Sequence, residues 1–141
     1  MWFLDTGYLI ALFSPKDTFH AQAVLLQIQI QRERRQLITT EAVVFEVGAA
    51  SSRAANRSVG NAIIHTLLHD LSIEAAPITP AVRDKAVALF AQHHDKDWSL
   101  CDCASFVLMR ERGITHALAA DHHFDQAGFT ALLLAANQAE K

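Results

Sequence analysis

The chain has 141 residues, 51% of them hydrophobic and 19% charged, which gives one domain with a single buried core and argues against a disordered chain. Its 12 basic and 15 acidic residues leave a net charge of −3, against binding to nucleic acid through a bulk positive field; such a substrate would need a local basic surface or a metal. The N-terminal apolar run is interrupted by Asp5, is too short for a membrane span and lacks the flank and cleavage site of a signal peptide. Cys101 and Cys103 are the only thiols, and at ~3.6 residues per turn they lie roughly 200° apart on a helix, unable to pair. The expectation is a cytoplasmic protein with no membrane association.

In chain order, Trp2 to Leu4 reads as a short strand ending on Asp5, and Thr6 to Phe13 as a helix broken by Ser14 and Pro15. Ser14-Pro15-Lys16-Asp17 combines a cap, a proline suited to the first helical position and an acid at the third. A second helix is therefore expected from there to about Arg35, its tail of Arg32, Arg34 and Arg35 suiting a helix C-terminus. Leu37 to Thr39 is the next strand, and Thr40 caps a helix, Glu41 to Ser52, with Glu46 within two turns of its start. Val59 to Leu71 reads as an amphipathic helix, Ile73 to Ile78 as a strand, and Thr79-Pro80 as the start of a helix to about Gln92. Ser99 caps a helix with apolar Leu100, Ala104, Val107 and Leu108, and Gly113 ends it. Thr115 to Ala120 is a buried strand closing on Asp121, and Thr130 to Leu134 a last strand before a polar tail. The alternation predicts an α/β fold, one domain over 1–141, its central, mostly parallel sheet covered by helices on both faces.

Asp5 and Asp121 directly follow strands, and Glu46 lies in the helix after another. Parallel strands have their carboxyl ends on one side, so acids far apart in sequence converge there. Asp102 opens the helix leading into the fourth strand, and packing of that helix across the same edge brings it in. Four carboxylates at one edge repel, and the natural counterweight is a hard divalent cation, Mg²⁺ or Mn²⁺. Such an ion suits phosphodiester hydrolysis. Each acid also has a local explanation: Ser99 to Asp102 matches a capping box, Asp5 and Asp121 suit N-caps, and Glu46 suits a solvent-facing helix position. Their joint occurrence at matching places favours a site.

Asp5-Thr6-Gly7-Tyr8-Leu9-Ile10-Ala11-Leu12, Thr39-Thr40 with Glu46, Asp97-Trp98-Ser99-Leu100-Cys101-Asp102, and Asp121-His122-His123-Phe124 with Gly128-Phe129 together resemble a PIN domain over nearly the whole chain. PIN domains, which include the VapC-type toxins of toxin–antitoxin pairs, are metal-dependent ribonucleases with a quartet of acids. The resemblance implies that Asp5, Glu46, Asp102 and Asp121 are catalytic, that Asp5, Asp102 and Asp121 bind metal, and that Thr6 and Ser99 are accessory hydroxyls. It further implies an RNA substrate, a small antitoxin partner and a homodimer. Cys101 and Ala119 depart from the family, which usually has threonine before the third acid and often two residues before the fourth.

Asp97 and Asp125 are read as supporting or spare acids. His93-His94, Cys101, Cys103 and His122-His123 match a zinc set in composition but not in spacing; His122 or His123 is left as a candidate phosphate contact. An aspartyl-nucleophile phosphotransferase needs a second acid two residues after Asp5, where Gly7 stands, and a receiver-like domain needs a late-strand lysine, whereas no lysine lies between Lys96 and Lys141. The alternative is a degenerate PIN fold that only binds protein. Arg32, Arg34, Arg35, Arg53, Arg57, Arg110 and Arg112 are candidates for tracking an RNA backbone.

Overall fold

Five short strands, all parallel, form one sheet in the order β3-β2-β1-β4-β5. The computed structural model describes residues 1–139. Its elements are β1 (Trp2–Leu4), α1 (Thr6–Phe13), α2 (His20–Glu33), β2 (Leu37–Thr40), α3 (Glu41–Ala50), a 3-10 turn at Ala54–Asn56, α4 (Arg57–His69), β3 (Ile73–Ala76), α5 (Pro80–Gln92), α6 (Leu100–Arg112), β4 (His116–Leu118), α7 (His122–Gln126), β5 (Thr130–Ala131) and α8 (Leu132–Ala139). The fold is a single α/β domain, as the alternation predicts. No helix among the described residues is long and apolar enough to cross a membrane.

Parallel strands need crossovers, and crossovers are right-handed, so the strand order assigns the helices to faces. Steps from β1 to β2 to β3 run one way across the sheet and carry α1 to α4 on one face. The return from β3 to β4 and the step to β5 run the other way and carry α5, α6 and α7 on the opposite face. Packing agrees: α1 touches α2, α3 and α4, α5 packs on α6, α6 touches α7, and α8 closes the first face against α2 and β4. The direction of travel reverses between β1 and β4, where an open parallel sheet has its crevice at the carboxyl ends. Phe3, Leu4, Ile38, Ala117 and Leu118 from the strands and Phe106, Met109 and Leu133 from the helices fill the fully buried core.

Two expected elements differ. The second helix begins at His20 rather than Ser14. Asp17 Oδ1 accepts the Phe19 N–H at 2.8 Å, and backbone bonds from Asp17 N to Ser14 O and from His20 N to Asp17 O turn the segment. An Asx turn thus takes the acid that a capping motif would have used, and Phe19 heads the helix without a side-chain cap. The last strand is only Thr130–Ala131, because the following leucine and alanine run, rich in good helix formers, coils as α8 and buries Leu133.

Helices α3 and α4 meet at Gly60, where a Cβ would stand 1.9 Å from Ser51 Oγ and 2.4 Å from Ser51 Cβ. Gly60→Ala is expected to cost about 1–3 kcal/mol in urea unfolding through overpacking. Adding Ser51→Gly should recover most of that loss; a double variant no more stable than Gly60→Ala would show that the clash is not its origin.

Candidate active site

At the carboxyl edge, where β1 and β4 part, Asp5, Glu46, Asp102 and Asp121 line one crevice of about 340 Å³ together with Thr6, Asp97, Ser99 and His123. The four acids read from sequence are thus brought together.

Each is held by the local fold. Asp5 ends β1; its N–H donates to Leu118 O at 3.1 Å, fastening it to the end of β4, and its Oδ2 accepts the Gly7 N–H at 3.3 Å as N-cap of α1. The Leu4 carbonyl just before it accepts from Thr39 Oγ1 at 2.8 Å, which ties β2 to the same point. Thr40 caps α3 by accepting the Val43 N–H at 3.2 Å and so sets the register that carries Glu46. Asp102 is the third residue of α6, and the expected capping box is present: Asp102 Oδ2 accepts the Ser99 N–H at 2.9 Å and Ser99 Oγ accepts the Asp102 N–H at 3.0 Å. Capping and a place in the crevice are compatible, so the capping box at Asp102 does not exclude it from a site. Asp121 is the N-cap of α7, Oδ1 accepting the His123 N–H at 2.9 Å.

An aromatic row holds the two helix starts on either side of the crevice. Trp98, buried just before α6, meets Phe106 edge-on at 5.1 Å, Phe106 meets Phe124 at 5.1 Å, and Phe124 reaches Phe3 on β1 at 6.0 Å. Such pairs add about 0.5–1.5 kcal/mol each beyond burial and fix direction. Trp98 Nε1 also donates to Gln126 Oε1 at 3.1 Å, joining the α6 start to α7.

The electrostatics of this cluster are unfavourable as they stand. Asp5 is 5% exposed, and burial, then Asp121, Glu46 and Asp102, push its carboxyl up to about 8, opposed only by the Gly7 N–H. Burial and Asp121 also raise Asp102, which the Ser99 N–H and His123 partly offset. Burial and the neighbouring Glu46 and Asp5 push the Cys101 thiol up, so it stays protonated and is no nucleophile at neutral pH. Thr6 Oγ1 is buried without a hydrogen-bond partner among the described residues. A buried hydroxyl in that state costs about 1–3 kcal/mol. Crowded carboxylates and an orphaned hydroxyl share one remedy, a hydrated hard cation, and the donor set fits one. Asp102, Asp121 and His123 offer ligand atoms within 4.8 Å of one another.

The sequence offers His123 only as one of two candidate phosphate contacts and does not place it beside the acids. Its Nδ1 lies 3.0 Å from Asp102 Oδ2 and 3.8 Å from Asp121 Oδ1. The one available signal was its place two residues after a capping acid, which puts it in the first turn of a helix facing the crevice. Among the other candidates, Asp97 stands exposed at the rim, whereas Asp125 faces away and accepts the Ala131 N–H at 3.0 Å. Ala119 is fully buried, its carbonyl accepting the Leu133 N–H at 3.3 Å. His93 packs against Trp98 at 4.9 Å, and His122 is exposed.

A five-strand parallel sheet whose switch point gathers four acids defines the architecture and site of a PIN domain. The chain belongs to that family, whose model, PIN domain, matches residues 2–130. It is 26% identical over 129 residues to the 23S rRNA-specific endonuclease VapC20 of Mycobacterium tuberculosis, covering 92% of this chain and 95% of that protein, in both strain CDC 1551 / Oshkosh and strain ATCC 25618 / H37Rv. The crystal structure of Mycobacterium tuberculosis VapC20, described as a sarcin-ricin loop cleaving toxin, superposes with a TM-score of 0.81 at 23% identity, over 93% of this chain and 98% of that one. FitAcB from Neisseria gonorrhoeae superposes with a TM-score of 0.64 at 17% identity, over 92% and 95% of the two chains. These superpositions bear on the fold.

Between the ordinary 3.8 and about 8, folded Asp5 holds a proton that the unfolded chain has released. Its contribution to the stability of the metal-free protein is therefore fully present below about pH 4 and is lost as pH rises through about 8. Asn caps a helix as well as Asp. Asp5→Asn should accordingly flatten this dependence, melting several degrees above the parent at pH 8.5 in EDTA and close to it at pH 4.5. Melting temperatures of the two proteins that run parallel across this range would show that the Asp5 carboxyl is not raised.

Proposed function

We propose that this protein is a metal-dependent endoribonuclease that hydrolyses RNA phosphodiester bonds as the toxin of a toxin–antitoxin pair. The observation that carries this reading is the convergence of four acids, one of them with its carboxyl raised to about 8, on one crevice. Kinship to an endonuclease named for 23S rRNA supports RNA as the substrate class. The domain acts over 1–141, in the cytoplasm.

Asp5, Asp102 and Asp121 hold the ion, Mg²⁺ or Mn²⁺, with Glu46 at the crevice wall as the fourth catalytic acid. The ion supplies Lewis-acid polarisation of the scissile phosphate and an activated water. Thr6, through its unpartnered Oγ1, orients water in the crevice, and Ser99, whose oxygen already accepts the Asp102 N–H, holds that acid in register. The arginines divide by position. Arg32, Arg34 and Arg35 stand where α2 leads into the start of β2, at the opposite edge of the sheet; Arg35 also covers Trp2 at 4.0 Å, and Arg112 pairs with Glu74 at 2.7 Å. Arg53 and Arg57 flank the turn between α3 and α4 and are better placed to track RNA: Asn56 and Val59 there line a groove with Ile10, which also lines the crevice.

With water as the nucleophile and the ribose O3′ as the leaving group, cleavage should leave a 5′-phosphate and a 3′-hydroxyl and should not require the ribose 2′-hydroxyl. In an assay on RNA with Mn²⁺, Asp5→Asn, Asp102→Asn and Asp121→Asn should each lower the rate at least on the order of a hundredfold. EDTA should abolish it. A 2′,3′-cyclic phosphate product, or full activity in EDTA, would overturn the metal-dependent reading; metal binding without any cleavage would favour a degenerate protein-binding module.

The surface supports a reading of the partners. An antitoxin arginine or lysine is drawn to the carboxylates and blocks the crevice. Leu25 and Ile28 on α2 and Leu68 on α4 are exposed and supply the apolar surface of a homodimer. The expected size-exclusion mass is that of a dimer; monomer mass across a concentration series would remove that surface from consideration.

A further inference from the structure

We propose that the His123 imidazole is a direct ligand of the divalent ion, beside the Asp102 and Asp121 carboxylates, and that it biases the site toward Mn²⁺ over Mg²⁺. The proposal rests on the metal-dependent reading above and names its ion. Three observations lead to it.

The first is geometry. Donors on adjacent vertices of an octahedral ion with bonds of about 2.1 Å lie about 3.0 Å apart, and opposite donors about 4.2 Å. His123 Nδ1 stands 3.0 Å from Asp102 Oδ2 and 3.8 Å from Asp121 Oδ1, between those limits. Whichever group carries the proton shared in the 3.0 Å contact, an ion takes the place of that proton.

The second is fixation. Asp121 caps α7 by accepting the His123 N–H, and Phe124, the next residue, is fully buried in the aromatic row. The backbone on both sides of the imidazole is therefore tied to the site. Asp102 is held in turn by its capping box, so each of the two helices presents its donor from a capped first turn. The third is the orphaned hydroxyl of Thr6, buried in the same crevice and independent of His123, which points to a hydrated ligand there.

The metal preference follows from donor chemistry. Mg²⁺ takes oxygen ligands and gives up its waters reluctantly, whereas imidazole nitrogen is a better partner for first-row transition ions. Among these Mn²⁺ still accepts a majority of carboxylates. One imidazole in an otherwise oxygen set tilts the balance without forcing a soft-metal site.

The test uses the full chain and the metal ions alone, with no RNA. Pulsed electron paramagnetic resonance of the Mn²⁺-loaded protein should show hyperfine coupling to a coordinated imidazole nitrogen, and His123→Asn should abolish it. Asn can still hydrogen-bond Asp102, so this variant separates ligation from positioning. By calorimetry, Mn²⁺ affinity should fall at least about tenfold in His123→Asn and Mg²⁺ affinity much less. His123→Phe, which keeps the ring volume, serves as the second variant should Asn fail to fold. Mn²⁺ binding without nitrogen coupling in the parent, coupling that survives in both variants, or equal losses for the two metals would overturn the proposal and leave an all-carboxylate site standing. Failure of the parent to bind either ion would overturn the metal-dependent reading as well.

Discussion

Asp5 is the point of greatest electrostatic tension in the molecule. Its carboxyl is buried among three other acids, and its backbone joins the two strands between which the crevice opens. Moving it into solvent would relieve the repulsion but would break the Asp5 N–H to Leu118 carbonyl bond and uncap α1. The core beneath it, with Phe3, Leu4 and Leu118 fully buried, fixes the backbone that carries it. The repulsion is thus held in place by packing, and relief has to come as a proton or a cation.

That arrangement depends on topology before it depends on any residue. The chain leaves β1 toward β2 and leaves β4 toward β5, so the loops after β1 and β4 diverge and open a crevice whose walls are α1 and α7. The helix before β4 comes from the opposite face and delivers Asp102 from its first turn; the helix after β2 delivers Glu46 from its second. Four acids separated by as much as the length of the domain meet because each stands within two turns of the same sheet edge.

The sequence displays this part of the architecture well. A strand that ends on an acid, and a helix that opens on one, are local patterns, and the parallel sheet turns them into a common position. What it hides is side-chain direction and the competition for capping groups. His123 lay in a pair of adjacent histidines with no metal spacing, and only the Asp121 cap decides which of the two faces Asp102. Asp17 looked like the acid of a helix start and instead closes an Asx turn, so α2 starts at His20. Leu132 to Leu134 is too short an apolar run to tell strand from helix by period, and the buried Leu133 on α8 settled it through tertiary packing.

Three of the four acids are also helix-capping groups: Asp5 caps α1, Asp121 caps α7, and Asp102 closes the capping box of α6. This is why a local explanation of each was available, and it is also why the cluster can exist at all. Every cap aims backbone N–H groups and the positive end of a helix at the crevice, each interaction worth about 0.3–1 kcal/mol near a surface and more where partly buried. Glu46, in the second turn of α3, receives no such help. Helix ends orient the carboxylates and soften their repulsion, but burial first, and then Asp121, Glu46 and Asp102, still push Asp5 up to about 8. The uncompensated remainder lies on the oxygens that face the crevice, beside the unpartnered hydroxyl of Thr6. A site built this way is oriented in advance, so a cation bound there would draw on charge rather than on rearrangement of the fold.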